Sequence, residues 1–345
     1  MKRCLVVSLG RCHPSSRIRL QAFGEELARR GWGLDFHHLH PGMGRGPACS
    51  RWQRLRERVF CAWQELWIGL KLRWLGPEVP VIVSREVPMS PRLFERMPNP
   101  MVLDIDDALY LGPGRETVLR LCRRAEVVVC GNSILQAALG PHSQATRVIP
   151  TVVDCERFVP EADRWGGEEL RLGWLGSSMS LDFTLQPFLP VLQRLRQKLR
   201  FRLVVVVDGC PEYLRQHAWI EHVEWNPRLE TRLGRLFEVG LMPLQADDFQ
   251  AAKCGCKLIQ YMACGLPSVA SDVGVNADLV RDVGWVAGNE EQWHDALIRL
   301  AEDDRLRAEM GARARQRAVE HYSIAVWAPS WAELLEDLST RRTSR

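Results

Sequence analysis

The sequence has little net charge, no paired cysteine motif and no long apolar run, and each absence excludes a class of protein. Its 46 basic and 42 acidic residues leave a formal charge of +4, far below the dense basic surface that nucleic-acid binding requires. Its eleven cysteines form no Cys-x-x-Cys motif, which favours a reducing compartment over a disulfide scaffold. The amino-terminal apolar run is too short for a signal peptide, and no other run approaches a membrane span. We therefore expect a cytoplasmic protein with no nucleic-acid partner.

What the sequence does contain is a regular alternation of short apolar runs and stretches with helical periodicity. This alternation over 345 residues predicts an α/β protein with two domains, each a parallel sheet covered by helices on both faces. Proline, paired glycines and charged residues interrupt the pattern near 160–169. We predict two doubly wound, Rossmann-like domains facing a shared cleft, over 1–160 and 165–324. A closing helix at about 325–340 is expected to pack back on the first domain.

Twelve apolar runs have the length and composition of buried strands. They are Leu5–Leu9, Leu34–Leu39, Val81–Ser84, Val102–Ile105, Val127–Cys130, Arg147–Ile149, Leu170–Leu175, Arg202–Val207, Val223–Trp225, Gly240–Pro243, Ser268–Ser271 and Trp285–Val286.

The most informative segment is a helical pattern that begins with two lysines. Lys253 precedes an apolar run, and Lys257 lies at the start of that run. Gly265 and Pro267 end it, as expected at the end of a helix. Backbone N–H groups at a helix start are unpaired and carry partial positive charge, so two added lysines favour a phosphate or diphosphate site. Two solvated lysines are the alternative.

Two glycine-bearing loops follow predicted strands of the same sheet. Gly176, Ser177 and Ser178 follow the first strand of the second domain, and Gly274, Val275 and Asn276 follow the strand after the lysine segment. Glycine lets a backbone approach a ligand closely, and serine supplies hydroxyl and amide donors for phosphate oxygens. Each loop alone is also typical of an ordinary turn. Loops at the carboxyl ends of parallel strands converge, and this convergence favours a donor-binding site.

Several motifs together closely resemble bacterial glycosyltransferase family 4, whose members are retaining nucleotide-sugar enzymes of the GT-B fold. The resemblance covers nearly the whole chain and is strongest over 239–276. It is carried by Lys253–Ser271, Val239–Leu244, Gly274–Asn276, Trp174–Ser177, Val148–Asp154, Gly131–Ser133, Asp104–Ala108 and His321–Ser323.

The resemblance implies site residues and also marks two departures from the family. Many members carry two glutamates eight positions apart, where this chain has Ala252 and Gln260. Gln260 can still bond the nucleotide ribose through its carbonyl oxygen, although more weakly than a carboxylate does. This chain also lacks the Arg/Lys pair that commonly follows the first strand of the donor domain, so Lys253 and Lys257 are expected to replace it. Lys257 is then a catalytic residue that stabilises the leaving diphosphate.

The acceptor side is expected in the first domain. The loop Gly10–Arg19 enters a helix at about Ser16, an N-cap type of residue, and the resemblance places this loop beside the reaction centre. Arg17 is predicted to hold a donor phosphate or an acidic acceptor, and His13 is either a site residue or an ordinary surface histidine. Asp106 and Asp107 end a strand and either contact the acceptor or sugar or cap a helix. Asn132 either lines the cleft or forms a turn.

A tryptophan-rich stripe in 51–74 has two interpretations. The stripe comprises Trp52, Leu55, Val59, Trp63, Leu66, Trp67, Leu70 and Trp74, and basic residues surround it. Packing against the first sheet is the favoured interpretation, because any helix that covers a sheet needs an apolar face. Peripheral contact with the inner face of the cell membrane is the alternative. His37, His38 and His40 with Cys254 and Cys256 lack paired ligand spacing, so no metal is expected.

The resemblance implies a hexosyltransferase that moves a sugar, with retention, from a UDP- or GDP-linked donor to a glycan, lipid-linked or small-molecule acceptor. Asp106, Arg17 and Lys257 are the predicted catalytic residues, with the nucleotide-sugar as co-substrate and no cofactor. The product would be a cell-surface polysaccharide, a lipopolysaccharide or another glycoconjugate. Another GT-B enzyme, such as a sugar-nucleotide epimerase, is the first alternative. A catalytically silent nucleotide-sugar-binding protein is the second.

Overall fold

A computed structural model describes residues 1–11, 13–38, 51–85, 91–161 and 169–343, with side chains 51–58, 61, 91 and 341–343 excepted. The chain forms two compact units. Unit 1 consists of Met1–Thr151 and Ile324–Arg345, and unit 2 consists of Val152–Ser323. Each unit contains one six-stranded parallel sheet, as the alternating pattern predicts.

The strands and helices of unit 1 alternate along the chain before a long carboxy-terminal helix returns to it. The strands are β1 (Lys2–Ser8), β2 (Trp32–His38), β3 (Val81–Ser84), β4 (Met101–Ile105), β5 (Val127–Cys130) and β6 (Thr146–Val148). The helices are α1 (Pro14–Arg19), α2 (Gly24–Arg29), α3 (Arg51–Leu75), α4 (Pro91–Arg96), α5 (Arg115–Arg124), α6 (Ser133–Leu139) and, at the end of the chain, α15 (Ile324–Thr343).

Unit 2 follows the same alternation. Its strands are β7 (Leu170–Leu175), β8 (Phe201–Val207), β9 (Ile220–Glu224), β10 (Val239–Met242), β11 (Ser268–Ser271) and β12 (Trp285–Ala287). Its helices are α7 (Ser178–Thr184), α8 (Leu189–Leu195), α9 (Glu212–Arg215), α10 (Asp248–Ala251), α11 (Cys256–Ala263), α12 (Asn276–Val280), α13 (Glu290–Glu302) and α14 (Asp304–Tyr322).

Burial on both faces explains why the strands are continuous apolar runs. In β8, Leu203 and Val205 belong to one buried cluster of unit 2, whereas Val204 and Val206 belong to another. Successive side chains of a strand point to opposite faces, so the two clusters lie on the two sides of the sheet. A sheet covered on both sides has no polar face, and its strands therefore lack the alternation of a half-exposed sheet.

The closing helix α15 supplies part of the core of unit 1. Trp331, Leu334, Leu335 and Leu338 are buried, and the ring centroid of Trp331 lies 6.3 Å from that of Phe23. These positions are three or four residues apart and form the single apolar face that the sequence indicates.

Two predictions for unit 1 are wrong. α1 begins at Pro14 and is capped by His13, not by Ser16, because proline is pre-organised for the first helical position and needs no N–H there. The described stripe residues of α3 are exposed, while Gln64, Ile68 and Leu72 are buried, so the favoured core-packing interpretation fails for them. Trp52 and Leu55 lie outside the described side chains. In the described part of the chain, no helix is both long and apolar enough to cross a bilayer.

Candidate functional site

The strand order of each unit contains a point where the direction of winding reverses. In unit 2 the order is β12-β11-β10-β7-β8-β9, so the reversal lies between β7 and β10. In unit 1 the order is β2-β1-β3-β4-β5-β6, so it lies between β1 and β3. Loops at such a point leave the sheet in opposite directions and open a crevice at the carboxyl ends of the strands.

A buried tyrosine separates β7 from β10 at this crevice in unit 2. Backbone pairing between the strands stops at Gly173 and Gly240, although both strands continue. Beyond that point, Leu175 donates its N–H to Tyr261 Oη at 3.1 Å, and the hydroxyl donates to the Leu241 carbonyl at 3.3 Å. A Cβ on Gly240 would lie 2.3 Å from the Tyr261 ring, so only glycine admits it. The phenol thus replaces direct pairing and holds the strand ends apart.

Lys257 lies at this strand end and faces an aromatic ring. Its Nζ is 3.9 Å from the ring centroid of Trp174, the penultimate residue of β7. Desolvation, with a further contribution from the charge of Lys253, lowers the pKa of Lys257 to about 7. A lysine in this state gains strongly from a nearby anion, because an opposite charge compensates the desolvation. Lys253 precedes α11 instead of opening it, and its Nζ is 5.0 Å from the Phe249 ring.

The loop after β7 adjoins the same tryptophan. A Cβ on Gly176 would lie 2.3 Å from Trp174, so glycine is required there. Ser177 and Ser180 form a reciprocal capping box at the start of α7, and the Ser178 amide donates to Asp208 Oδ1 at 2.8 Å. The structure thus places Gly176, Ser177 and Ser178 near Lys257 through Trp174. The backbone N–H groups of Ser177 and Ser178 both donate hydrogen bonds to other groups within the protein.

The second glycine-bearing loop, between β11 and α12, is also fixed by close backbone packing. Gly274 has a φ of +60°, and a Cβ there would lie 2.0 Å from the Ala251 carbonyl oxygen. The loop therefore packs against the end of α10, two residues before Lys253. Asn276 is buried and donates through Nδ2 to the Ser271 carbonyl at 3.1 Å, while Val275 is the N-cap residue of α12. Packing thus brings Gly274 and Val275 close to the lysine segment.

Gln260 has a partner that the sequence gives no reason to expect. It is buried, and its Nε2 donates to Glu230 Oε1. The side chain of Glu230 is buried, at 2 % exposed, and it lies in the short turn Leu229–Thr231. The sequence around this turn is rich in charged residues and has no periodic pattern. Position 260 therefore has an amide where the resemblance leads us to expect a carboxylate, and a buried carboxylate, that of Glu230, contacts this amide.

The corresponding edge of unit 1 is organised by Arg85, which sequence reasoning missed. Arg85 follows β3 and has a φ of +63°, a conformation that is costly for a residue with a Cβ and concentrates at functional sites. Its guanidinium donates to Ser15 Oγ at 3.0 Å and lies 3.4 Å from Asp106 Oδ1 and 3.6 Å from Asp107 Oδ2. No pattern in the sequence indicates a strained arginine at this position.

Asp106 is held ionised by its surroundings. Burial alone would raise its pKa, but the charges of Arg85 and Arg19 and a hydrogen bond from Ser15 hold the pKa of Asp106 below its usual value. Arg19 also binds Asp104 in a buried ion pair, with Nε 3.0 and 3.1 Å from the two carboxylate oxygens. Asp104 therefore has a structural partner within the core, whereas Asp106 and Asp107 surround Arg85.

The remaining predicted residues of unit 1 belong to α1 and α6 or cap them. His13 accepts from the Ser15 amide at 3.3 Å, and desolvation followed by the charge of Arg85 lowers the pKa of His13. His13 is thus next to Arg85 and neutral at pH 7. Ser16 is buried, and its Oγ has no hydrogen-bond partner among the described residues. Arg17 is half-buried one turn beyond His13. Asn132 caps α6 by accepting from the Leu135 amide at 2.8 Å.

Potential metal ligands do not assemble in the described ranges. There, no group of three or more His, Cys, Asp or Glu side chains is placed to hold a metal ion. His37 Nε2 contacts Gln64, and His38 Nδ1 lies 2.9 Å from Ser8 Oγ. His40 lies outside the described residues.

Comparison with known proteins shows what the lysine-bearing segment of the chain resembles. Residues 170–303 match the family model described as Glycosyl transferases group 1. This segment is therefore similar to a group 1 glycosyltransferase domain. This segment begins at β7 and includes the crevice between β7 and β10, Lys253, Lys257 and the two glycine-bearing loops described above. No curated protein matches the chain in sequence comparison.

Solved structures extend the similarity to the whole fold. Sucrose-phosphate synthase from Thermosynechococcus elongatus aligns with a TM-score of 0.76 at 15% identity, covering 99% of this chain and 100% of that one. The Anabaena protein HepE, solved with UDP and glucose, aligns with a TM-score of 0.70 at 12% identity, covering 96% and 99%. Trehalose 6-phosphate synthase from Burkholderia multivorans aligns with a TM-score of 0.67 at 13% identity, covering 100% and 98%. The chain therefore has the GT-B fold of two Rossmann-like domains, as predicted.

Proposed function

We propose that the protein is a glycosyltransferase that transfers a hexosyl unit, with retention, from a nucleoside-diphosphate sugar to an acceptor in glycoconjugate biosynthesis. The observation that carries this proposal is the Lys257 ammonium, 3.9 Å from the Trp174 ring, at the switch point of a group 1 glycosyltransferase domain. A diphosphate is the ligand that best compensates two neighbouring lysines in a desolvated site. HepE, a structural relative solved with UDP and glucose, supports a UDP-linked donor.

The proposed chemistry assigns charge to both units. In unit 2, Lys257 and Lys253 neutralise the diphosphate as it leaves, so the bond from the sugar to the diphosphate breaks with less build-up of charge. In unit 1, the Arg85, Asp106 and Asp107 cluster, with neutral His13, binds the acceptor hydroxyl. Arg17 contributes positive charge on the same edge. The acceptor proton passes to the departing phosphate oxygen, so no protein nucleophile is required.

A direct binding test uses Lys257→Ala. Charge-assisted hydrogen bonds are worth about 1.5–3 kcal/mol, so we expect the affinity for UDP in titration calorimetry to fall at least tenfold. Lys198→Ala is the matched control, because Lys198 is an exposed lysine of unit 2 outside the site, and it should bind as the parent does. Equal affinity of Lys257→Ala and the parent protein would remove the assignment.

A second candidate function is a nucleotide-sugar-binding protein without turnover. Two observations favour it: Ala252 is fully buried, and the Gln260 amide is committed to Glu230. Incubation with a panel of UDP- and GDP-sugars separates the candidates. A transferase releases the nucleoside diphosphate slowly even to water, and NMR of the first glycoside formed reports retention. A binding protein without turnover gives heat of binding in calorimetry but releases no nucleoside diphosphate. An epimerase changes the sugar and also releases no nucleoside diphosphate.

A further inference from the structure

The helix α3 has two apolar faces, of which only one is buried. Gln64, Ile68 and Leu72 are 7 %, 0 % and 4 % exposed and pack into unit 1. The opposite side carries large exposed apolar residues, which we call the tryptophan face. It consists of Val59, Trp63, Leu66, Trp67, Leu70 and Trp74, which are between 49 % and 77 % exposed.

The tryptophan face is continuous. Successive helical residues are about 100° apart, which places the six positions within a stripe roughly 100° wide, centred away from the buried positions 64, 68 and 72. Trp63 and Trp67 stack with ring centroids 6.2 Å apart and planes at 8°. Exposed apolar residues are ordinary when scattered singly, but a contiguous patch of this size marks an interaction surface.

The charge of the same helix indicates what the face meets. α3 has the sequence RWQRLRERVFCAWQELWIGLKLRWL, with six basic and two acidic residues, so its net charge is +4. That value equals the net charge of the whole chain, so the other 320 residues sum to zero. Arg73 is exposed, and the Arg3 guanidinium lies 5.6 Å from the Trp74 ring centroid.

We propose that the tryptophan face of α3 binds the surface of an anionic lipid bilayer, with the helix lying parallel to the membrane. Tryptophan prefers the interface between headgroups and acyl chains, because its ring is apolar and its N–H is polar. Basic residues on the same helix are attracted by anionic headgroups, and arginine stems can reach along the apolar surface to them. A protein partner would need a complementary acidic groove, whereas a membrane needs only apolar depth and negative charge.

The proposal goes beyond the proposed function, since binding to lipid requires neither donor nor acceptor. Flotation of the full-length protein with vesicles of phosphatidylglycerol and phosphatidylcholine in equal parts tests it. We expect the protein to float with these vesicles and to remain unbound with pure phosphatidylcholine. The triple variant Trp63→Gln, Trp67→Gln, Trp74→Gln should bind at least tenfold more weakly. Arg73→Glu should bind about tenfold more weakly, and this loss should shrink in high salt.

The matched control replaces three exposed apolar residues elsewhere, with Phe183→Gln, Val319→Gln and Val326→Gln. These side chains are 65 %, 41 % and 43 % exposed, and their replacement should leave flotation unchanged. The proposal is overturned if the parent does not float with anionic vesicles, or if the two triple variants float equally well. It is also overturned if the parent fails to float and sediments as a dimer that the tryptophan substitutions dissociate, since a second copy would then cover the face. No nucleotide-sugar is present in these assays, so either result leaves the proposed function untouched.

Discussion

At the scale of single residues, Lys257 has a charge that pH controls near neutrality. Its pKa of about 7 means that the ammonium form dominates below this pH and the neutral amine above it. A nucleotide-sugar keeps its diphosphate ionised in this range, so only the protein partner titrates. We expect the affinity for UDP-glucose to be highest below pH 7 and to weaken, by up to about tenfold per pH unit, as the pH rises to 9.

Two variants separate this titration from other effects. Lys257→Arg carries a charge at every pH tested, so its affinity should stay level from pH 6 to 9. Lys257→Met should bind weakly and also without pH dependence. Titration calorimetry at each pH gives the values. If Lys257→Arg shows the same slope as the parent, another group controls the pH dependence.

The contact between Gln260 and Glu230 makes a second prediction about single residues. Gln260→Glu places two carboxylates in contact in a buried site, and we expect a loss of about 3 kcal/mol in the free energy of unfolding at pH 7. Burial and the neighbouring carboxylate raise the pKa of the introduced group above its unfolded value. The destabilisation is therefore present at neutral pH and is relieved as pH falls through that raised pKa.

Exchanging the two residues provides the matched control. The double variant Glu230→Gln, Gln260→Glu restores one amide and one carboxylate, and should recover most of the lost stability in urea denaturation. It also places a glutamate at position 260, where the family resemblance expects one. If the double variant is no more stable than Gln260→Glu alone, the hydrogen bond between these residues is not what stabilises the site.

At the scale of elements, the sequence indicates the strands well and the surroundings of the site less well. All twelve predicted apolar runs overlap observed strands, because burial on both faces leaves continuous apolar segments that are hard to miss. Lys257 and Trp174 were both named from sequence, but their contact was not predicted. Glu230, Asp208 and Arg85 lie in loops, where no periodicity connects a residue to its partner. Their roles depend on which loops meet, and only the three-dimensional fold determines that.

The helix α3 shows why helical periodicity alone can mislead. A stripe at spacings of three and four residues identifies a face, but it does not say whether that face meets the core. Here the more conspicuous stripe, rich in tryptophan, is exposed, and the face that packs includes the polar residue Gln64.

Adjacent residues of α3 test this reversal. Ile68 is fully buried and Trp67 is 52 % exposed. We expect Ile68→Ala to lower the free energy of unfolding by about 3 kcal/mol, through lost burial and a cavity. Trp67→Ala should change it by less than about 0.5 kcal/mol, although it removes the larger side chain. Urea denaturation followed by circular dichroism gives both values, and a larger loss for Trp67→Ala would place the core on the wrong side of α3.

At the scale of the whole molecule, the chain crosses between units twice. It leaves unit 1 after Thr151 and returns at Ile324, and the return is made by α15 alone. Within unit 2, the bridge between Val153 and Ser323 brings the entering and leaving segments side by side. Within unit 1, α15 contributes five buried apolar residues and ion pairs from Glu336 to Lys2 and from Glu333 to Arg147. The carboxy-terminal helix of this sequence therefore completes the unit formed by residues 1–151.

Truncation after Ser323 should consequently damage the units unequally. Unit 1 loses Trp331, Leu334, Leu335 and Leu338 and exposes the surface of Phe23 that they cover, and each buried side chain is worth about 1.5–3 kcal/mol. Unit 2 retains both of its clusters and the Lys257 site. We expect hydrogen exchange to become fast in β1 and β2 and to remain slow in β7 and β8, while the affinity for UDP changes less than threefold.

The control is the full chain with Thr340→Ala, a substitution near the end of α15 and outside the buried positions. Equal loss of protection in both sheets would mean that α15 stabilises the molecule as one cooperative unit, contrary to the division into two cores.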